Sequence, residues 1–284
     1  MRLIAAFALI LSTASGALGV ERAKAPAEAG VKLEPVMITG QDGWKLAAFY
    51  AAPAKSARKG KCPAVILTHM LNRTRQDWKP LVPKLVGAGF AVVAYDMRGH
   101  GKSTDSNGKA SSWKRFGAAD WLNAEKDIAR VKAWLLKDKK ADVDPRRIAL
   151  AGGSIGANLS LRALTADPDL CGAVLLSAGL DYMKVTTRDA AGKLGRDQRV
   201  AIFATSKDYR GYCARTAAAL AKAAGDQKLI VKKVYDGKDH GTAMFGQVKG
   251  VEKDILEALQ KIVAPKKAKG HRGKDVKDAL DRVL

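Results

Sequence analysis

Apolar and polar positions follow one another in blocks that predict strands and helices in regular alternation. Short apolar runs, "PAVILTH" (63–69) and "FAVVAYD" (90–96), are typical of strands buried on both faces of a sheet. Longer segments with apolar residues near helical spacing follow, the clearest at 119–138. This alternation predicts an α/β protein with a mostly parallel sheet covered by helices on both faces.

The remaining pattern brings the predicted sheet to eight strands. Two β-like runs, "VKLEPVMITG" and "WKLAAFYAA", precede the first buried strand and are split by the turn signal "QDG". Later strands are predicted at "RIALAGG", "CGAVLLSAG", "RVAIFATS" and "KLIVKKVYDG", and helices at 77–88, "IGANLSLRALTA", "CARTAAALAKAAG" and "VKGVEKDILEALQKIVA". About twenty residues separate "AVLLSAG" from "RVAIFATS", which is too short for a large lid domain.

The two ends of the chain differ from the alternating middle. Residues 1–19 combine Arg2, a short apolar run and small residues, which predicts a cleaved secretory signal peptide and a periplasmic or secreted protein. Residues 20–30 are expected to be a flexible lead-in, 31–264 the single folded domain, and 265–284 a basic mobile tail.

The net charge of +22 is spread over the whole chain. Diffuse positive charge favours solubility and weak attraction to anionic surfaces of the cell envelope. No nucleic-acid-binding motif or series of stacking aromatics is present, so a nucleic-acid partner is not expected. No segment after the signal is long and apolar enough to predict a transmembrane span.

The sequence "GGSIG" (152–156) falls between a predicted strand and a predicted helix. A sharp strand-to-helix turn at this G-x-S-x-G pattern lifts the serine above the sheet and sets it at a helix N-terminus. Ser154 is therefore the candidate nucleophile of a hydrolase.

A serine nucleophile needs a base and a carboxylate that orients the base. His240, in "YDGKDHGTAMF", follows the last predicted strand and is expected at the same sheet edge as Ser154. Asp208 follows the strand "RVAIFATS" and is the favoured acid, with Asp181 in "SAGLDY" as the alternative. The order serine, acid, histidine is that of a known hydrolase architecture.

Three motifs in this order make the chain resemble an α/β-hydrolase, in particular its serine esterase, lysophospholipase-like and dienelactone-hydrolase-like branches. They are "GGSIG", "DMRGHGKS" (96–103) and the oxyanion-loop segment "LTHMLNRTRQDW" (67–78). The resemblance covers about residues 31–264 and implies the α/β-hydrolase fold with acyl-transfer chemistry.

The resemblance also implies an oxyanion hole. One donor would be the N–H of Ile155, and the second that of Met70 or Leu71. The family usually has His-Gly where this chain has His69-Met70, so a different loop path is expected. His69 is expected to hold that loop.

Other residues of the motifs are expected to be structural. Arg98 and His100 would form a tight turn that Asp96 anchors. No cluster of His, Cys and Asp has metal-ligand spacing in the sequence, so neither a metal nor a cofactor is predicted.

These observations predict an exported serine hydrolase acting on carboxylic esters or thioesters. A peptidase, amidase or acyltransferase with the same triad remains an alternative, as does a non-catalytic basic protein that binds the cell envelope. The segment between the sixth and seventh predicted strands is rich in cations and favours anionic or phosphate-bearing substrates. These cations are Lys184, Arg188, Lys193 and Arg196.

Overall fold

A ten-stranded sheet forms the centre of the computed structural model, which describes residues 30–54, 60–137 and 142–265. The strands lie in the order β12-β11-β8-β7-β3-β4-β2-β5-β6, and β1 pairs with β2. Their bounds are β1 Glu34–Thr39, β2 Trp44–Ala51, β3 Cys62–Thr68, β4 Ala91–Tyr95, β5 Asp105–Ser106, β6 Lys109–Ala110, β7 Val143–Gly153, β8 Gly172–Leu176, β11 Arg199–Thr205 and β12 Leu229–Tyr235. The six strands β4, β3, β7, β8, β11 and β12 are parallel to one another, and β2 pairs antiparallel with β4.

Eight of these strands coincide with the eight predicted ones, and the prediction missed β5 and β6. These two-residue strands form a hairpin that pairs with β2 at the sheet edge. Asn107 and Gly108 connect them with φ of 52° and 78°. Asn-Gly is the typical sequence of such a two-residue turn, so a local signal was present. A separate pair, β9 Asp181–Tyr182 and β10 Val185–Thr186, lies between β8 and β11 in the chain.

Helices cover both faces of the sheet, as predicted. They are α1 Val82–Gly87, α2 Ala118–Lys137, α3 Ile155–Ala166, α4 Tyr212–Ala224 and α5 Val251–Ile262. The helix predicted at 77–88 is wrong at its start, because a 3₁₀ turn at Arg75–Trp78 comes first. Pro83 lies in the first turn of α1, where the missing N–H of a proline costs no intrahelical hydrogen bond.

The helices bury two apolar cores, one against each face of the sheet. Ile66 of β3 packs into the core that also contains residues of α2, α3 and α4. Its neighbours Val65 and Leu67 pack into the other core, together with residues of α1 and α5. Successive side chains of a strand point to opposite faces, so a central strand is apolar throughout. This arrangement confirms the predicted α/β fold class.

The carboxyl ends of the parallel strands β3, β7, β8, β11 and β12 lie side by side along one edge of the sheet. No separate lid domain is inserted between β8 and β11, where only β9, β10 and a 3₁₀ turn occur. Across the described residues, no helix has both the length and the apolar content that a bilayer crossing requires. The predicted signal peptide (1–19) and most of the predicted lead-in (20–30) and tail (265–284) lie outside the described residues.

Candidate active site

Ser154 occupies the sharp turn between β7 and α3. Its backbone has φ 54° and ψ −123°, a conformation that few residues with a side chain adopt. A Cβ on Gly152 would lie 2.2 Å from the carbonyl oxygen of Gly156, and one on Gly156 would lie 2.4 Å from that of His69. Glycine is therefore required two residues before and two residues after the serine. Strain of this kind persists where the surrounding structure enforces it, commonly at functional sites.

The turn sets Ser154 at the positive end of a helix. Helix α3 begins at Ile155, and the N–H groups of Ala157 and Asn158 donate to the carbonyl oxygen of Ser154 at 2.9 and 3.2 Å. The first N–H groups of a helix have no acceptor within it, and the helix dipole places partial positive charge there. This end of α3 can therefore stabilise a negative charge placed beside Ser154.

His240 and Asp208 meet at the same edge of the sheet. Nδ1 of His240 lies 2.7 Å from Oδ2 of Asp208. The Asp208 side chain is 2% exposed and the His240 side chain 18%. Because the carboxylate can only accept, Nδ1 carries the proton. Within the described chain, Nε2 of His240 is buried and has no hydrogen-bond partner, so Ser154 is not hydrogen-bonded to it in this structure. This nitrogen is the one left to accept a proton from a nucleophile or a substrate.

The loop that carries His240 is held from both sides. The N–H of Gly241 donates to Oγ of Ser177 at 2.9 Å, and Oγ1 of Thr242 donates to Oδ2 of Asp77 at 3.0 Å. A Cβ on Gly241 would lie 3.5 Å from the backbone nitrogen of Ser154. The histidine loop therefore lies next to the serine turn, separated at Gly241 from the Ser154 nitrogen by about the width of one methyl group.

His69 holds the loop after β3 through hydrogen bonds at both ring nitrogens. The N–H of Met97 donates to its Nε2 at 2.8 Å, so Nδ1 carries the proton and donates to the carbonyl oxygen of Met70 at 2.6 Å. Complete burial lowers the pKa of His69 to about 4, so the ring is neutral at pH 7. The expectation that His69 holds this loop agrees with these contacts.

The side chain of Met70 fills the space between the serine turn and the histidine loop. A Cβ on Gly153 would lie 3.0 Å from Cγ of Met70, and one on Gly241 would lie 2.3 Å from its Sδ. Gly241 also has φ of 54°, which favours glycine. The absence of side chains at these two glycines gives a methionine the room it needs after His69.

The two carboxylates proposed as the acid occupy different surroundings. Asp208 is buried against His240, whereas Asp181 is exposed at the start of β9 and accepts from the N–H of Lys184 at 2.9 Å. The structure thus brings Asp208, and not Asp181, to His240.

Asp96 and Arg98 stabilise the turns beside the site. Asp96 forms a buried ion pair with Arg75 and accepts from the N–H of Lys102 at 2.8 Å. Arg98 is paired with Asp127, with two nitrogen–oxygen distances of 2.7 Å. Both are structural, as the sequence predicts.

His100 also has a packing role. Its Nδ1 donates to the carbonyl oxygen of Arg98 at 2.9 Å, and its ring stacks on Trp113. Burial lowers its pKa to about 4.

One cluster with potential metal ligands was missed in the sequence. One ligand atom each of Asp208, Cys213 and His240 lies within 4.8 Å of the others. The residues come from different elements, so no sequence spacing announces them. Two of the three donors are already joined by the Asp208–His240 hydrogen bond, and burial raises the pKa of the Cys213 thiol to about 12, which opposes the thiolate that a metal needs. The absence of a metal stays a prediction.

Two tyrosines that the sequence analysis did not select border His240. The ring centroid of Tyr209 lies 4.7 Å from that of the imidazole, and that of Tyr182 lies 6.3 Å from it. Tyr209 directly follows Asp208, so its proximity could have been inferred from the sequence. Asp77 and Tyr182 carried no such signal, because tertiary packing alone brings them to the histidine loop.

The sheet order and the strained serine turn, with a histidine–aspartate pair at the same edge, define the α/β-hydrolase class. The model of the family described as "Serine aminopeptidase, S33" matches residues 60–234. The chain belongs to this family.

Individual curated relatives match only part of the chain. Epoxide hydrolase B of Mycobacterium tuberculosis (strain H37Rv) is 33% identical over 122 residues, which cover 37% of this chain and 34% of that protein. The chain thus spans about a third of the length of the curated relatives it matches.

Solved structures agree in fold. An esterase from Pyrococcus furiosus has a TM-score of 0.63 at 16% identity, covering 82% of this chain and 94% of its own. Acetyl xylan esterase 1 from Thermoanaerobacterium sp. has a TM-score of 0.64 at 19% identity, covering 82% and 84%. At this level of identity the likeness extends to the fold alone.

Proposed function

We propose that this chain is a serine hydrolase that cleaves carboxylic esters or thioesters through an acyl-enzyme. The observation that carries the proposal is the 2.7 Å contact between Nδ1 of His240 and Oδ2 of Asp208, beside a serine in a strained turn at the start of α3. A non-catalytic protein would gain nothing from a serine in a strained turn beside a histidine–aspartate pair. Nucleophilic catalysis uses all three groups, as nucleophile, base and orienting carboxylate.

In the first step, Oγ of Ser154 attacks the carbonyl carbon of the ester. Nε2 of His240 accepts the hydroxyl proton, because Nδ1 already donates to Asp208. Asp208 holds this tautomer and stabilises the imidazolium that forms. Its burial keeps the interaction away from solvent, where it would be weaker.

The tetrahedral intermediate carries negative charge on the former carbonyl oxygen. The N–H of Ile155 at the start of α3 is the proposed first donor, and the N–H of Met70 or Leu71 the second. His240 then protonates the leaving alcohol or thiol, and in the second half of the reaction it activates water to release the acid. Each N–H donor of an oxyanion hole typically contributes a factor of about 10²–10³ to the rate.

A fluorophosphonate probe tests this proposal directly. The wild type is expected to be labelled and to hydrolyse short esters, and Ser154→Ala is expected to lose both properties, with a rate loss on the order of 10⁴ or more. Circular dichroism of Ser154→Ala checks that the fold is intact. Equal labelling of the wild type and Ser154→Ala would reject Ser154 as the nucleophile.

Peptide or amide hydrolysis is the second candidate, which the family description favours. The triad is the same for both, so the leaving group must separate them. Comparison of an ester with its matched amide decides: turnover of the ester alone supports an esterase, and turnover of an aminoacyl amide supports a peptidase.

Anionic substrates form a narrower part of the proposal. Lys184, Arg188, Lys193 and Arg196 are all exposed, and Lys184 lies two residues after Tyr182, which borders His240. For an anionic ester, KM is expected to rise with salt, because salt screens exposed charges. A neutral ester of the same size serves as the control, and equal salt dependence would remove this part.

Export through the signal at residues 1–19 is likewise proposed. Amino-terminal sequencing of the protein recovered from the periplasm or medium tests it. A new terminus near residue 20 is the expected result, and an intact terminus in the cytosol contradicts it.

A further inference from the structure

Three consecutive residues after Asp208 have left-handed backbone conformations. Tyr209 has φ 43° and ψ 50°, Arg210 has φ 56° and ψ 38°, and Gly211 has φ 80° and ψ 7°. A left-handed conformation is ordinary for glycine, but it costs free energy for each residue with a Cβ. Glycine at positions 209 and 210 would avoid this backbone strain. Tyr209 and Arg210 therefore lower the stability of the folded turn relative to glycine.

The turn is held by contacts around it. The N–H of Arg210 donates to the carbonyl oxygen of Lys207 at 3.1 Å, and the guanidinium of Arg215 donates to the carbonyl oxygen of Arg210 at 3.1 Å. The N–H of Lys207 donates to the carbonyl oxygen of Gly237 at 2.8 Å, which ties the turn to the end of β12. The surrounding structure therefore enforces the strained conformation.

This turn leaves a large aromatic ring in solvent beside His240. Tyr209 is 63% exposed, the highest value among the exposed large apolar residues of the described chain. Its ring nevertheless lies 4.7 Å from the imidazole, with an angle of 57° between the planes. Burial therefore does not compensate the strain, because most of the ring remains exposed.

A second aromatic ring borders the imidazole and is held more firmly. Tyr182 lies 6.3 Å from His240 and 6.4 Å from Tyr212, and its hydroxyl contacts Sγ of Cys213 at 3.4 Å. Tyr182 is partly buried, whereas Tyr209 keeps an open surface. Of the two, Tyr209 has the surface on which a ligand can stack.

We propose that Tyr209 forms the wall of a subsite for a planar aromatic group on the leaving-group side of the substrate. The inference rests on the proposed function, in which His240 protonates the leaving group. A group next to His240 therefore meets Tyr209. An aromatic ring gains an offset or edge-to-face contact there that a saturated ring of the same size does not.

Two esters with nearly equal leaving groups test the subsite. Benzyl acetate and cyclohexylmethyl acetate both release a primary alcohol of similar size, so their ratio of kcat/KM isolates the effect of the aromatic ring. Tyr209→Leu is expected to lower the benzyl preference about fivefold, and Tyr209→Phe to retain it within about twofold. An unchanged preference in Tyr209→Leu, or an equal loss on both esters, would overturn the subsite and leave Tyr209 a packing role.

Arg210→Gly is the matched control for the turn. It relieves left-handed strain next to Tyr209 and leaves the aromatic ring in place. The benzyl preference is expected to stay within about twofold, and Tm to rise by about 2–4 °C. Loss of the preference in Arg210→Gly would mean that the turn geometry, and not the ring, sets it.

Binding without turnover separates this inference from the proposed function. In Ser154→Ala, saturation-transfer NMR is expected to show stronger contact with benzyl acetate than with cyclohexylmethyl acetate, and Tyr209→Leu in that background to remove the difference. Fluorophosphonate labelling with no ring preference in binding rejects the subsite alone. Ring-selective binding without labelling or turnover rejects the proposed function and retains the site.

Discussion

Thr242 donates a hydrogen bond of 3.0 Å to Asp77, although 165 positions separate the two residues. Asp77 belongs to the 3₁₀ turn at the end of the proposed oxyanion-loop segment (67–78), and Thr242 follows the proposed base by two residues. The contact therefore connects the loop of the proposed oxyanion donors with the loop of the proposed base, whose relative position would set the geometry of the proposed acyl transfer. A small displacement of either group from productive geometry is costly in rate.

Loss of this hydrogen bond is expected to lower activity without removing any catalytic group. Thr242→Val and Asp77→Ala should each reduce kcat/KM about tenfold, which corresponds to about 1.5 kcal/mol for a hydrogen bond to a carboxylate. The double variant should lose little more than either single one, because both remove the same interaction. Steady-state kinetics on one short ester measure all three.

Arg73→Gln is the control for this cycle. Arg73 also contacts Asp77, at 2.9 Å, but its side chain is 55% exposed, and exposed ion pairs contribute little. Activity within about twofold of the wild type is expected. Strictly additive losses in the double variant would contradict a direct role of the Asp77–Thr242 contact.

The choice of acid can be tested with a matched pair of substitutions. Asp208→Asn removes the carboxylate that holds Nδ1–H of His240 and is expected to lower kcat on the order of 10⁴-fold. Asp181→Asn, at the exposed start of β9, is expected to stay within about twofold. The reverse order of these effects would reassign the acid to Asp181.

A side chain at Gly241 is expected to destabilise the fold. A Cβ there would lie 2.3 Å from Sδ of Met70, and the backbone has φ of 54°. Gly246→Ala provides the comparison, since Gly246 has φ of 73° with open space around it. Gly246→Ala should therefore cost about 1 kcal/mol from backbone strain alone, and Gly241→Ala about 1–3 kcal/mol more, depending on how far Met70 moves.

Urea unfolding measures both variants. Adding Met70→Ala to Gly241→Ala should recover part of the loss, because it removes the atom that the new Cβ meets. Equal destabilisation by the two alanine substitutions would show that Met70 does not restrict position 241.

Stability is expected to fall when the pH drops below about 6.5, in part because of His69. Burial lowers its pKa from 6.5 to about 4 in the folded protein. Above pH 6.5 the ring is neutral in both states. Between 6.5 and 4 only the unfolded chain binds the proton, so the free energy of unfolding decreases by about 3 kcal/mol over that range.

The urea midpoint as a function of pH tests this expectation. His69→Gln removes the titrating group and should show a shallower decrease between pH 6.5 and 4 than the wild type. Parallel curves for the two proteins would show that His69 does not bind its proton preferentially in the unfolded chain.

Local sequence patterns determined most of the architecture. Apolar runs bounded by turn residues defined central strands such as β3, β4 and β8, since a strand buried on both faces must be apolar throughout. The outer strands β1 and β12 are partly exposed and were located by shorter β-like runs beside turn residues. The pattern at 152–156 located the serine turn, because close backbone approach at positions 152 and 156 leaves room only for glycine. The predicted start of α1 was wrong, since Pro83 lies in the first turn of the helix and the apolar pattern runs on without a break before it.

Tertiary structure decided the relationships that no local pattern encodes. Asp208 and Asp181 both follow strands of the sheet, and only folding shows that the first is buried against His240 while the second faces solvent. The same holds for the Asp77–Thr242 contact, for Met70 between two glycines, and for the donor cluster at Cys213. Each depends on distances between side chains of segments far apart in sequence, which periodicity and spacing along the chain do not contain.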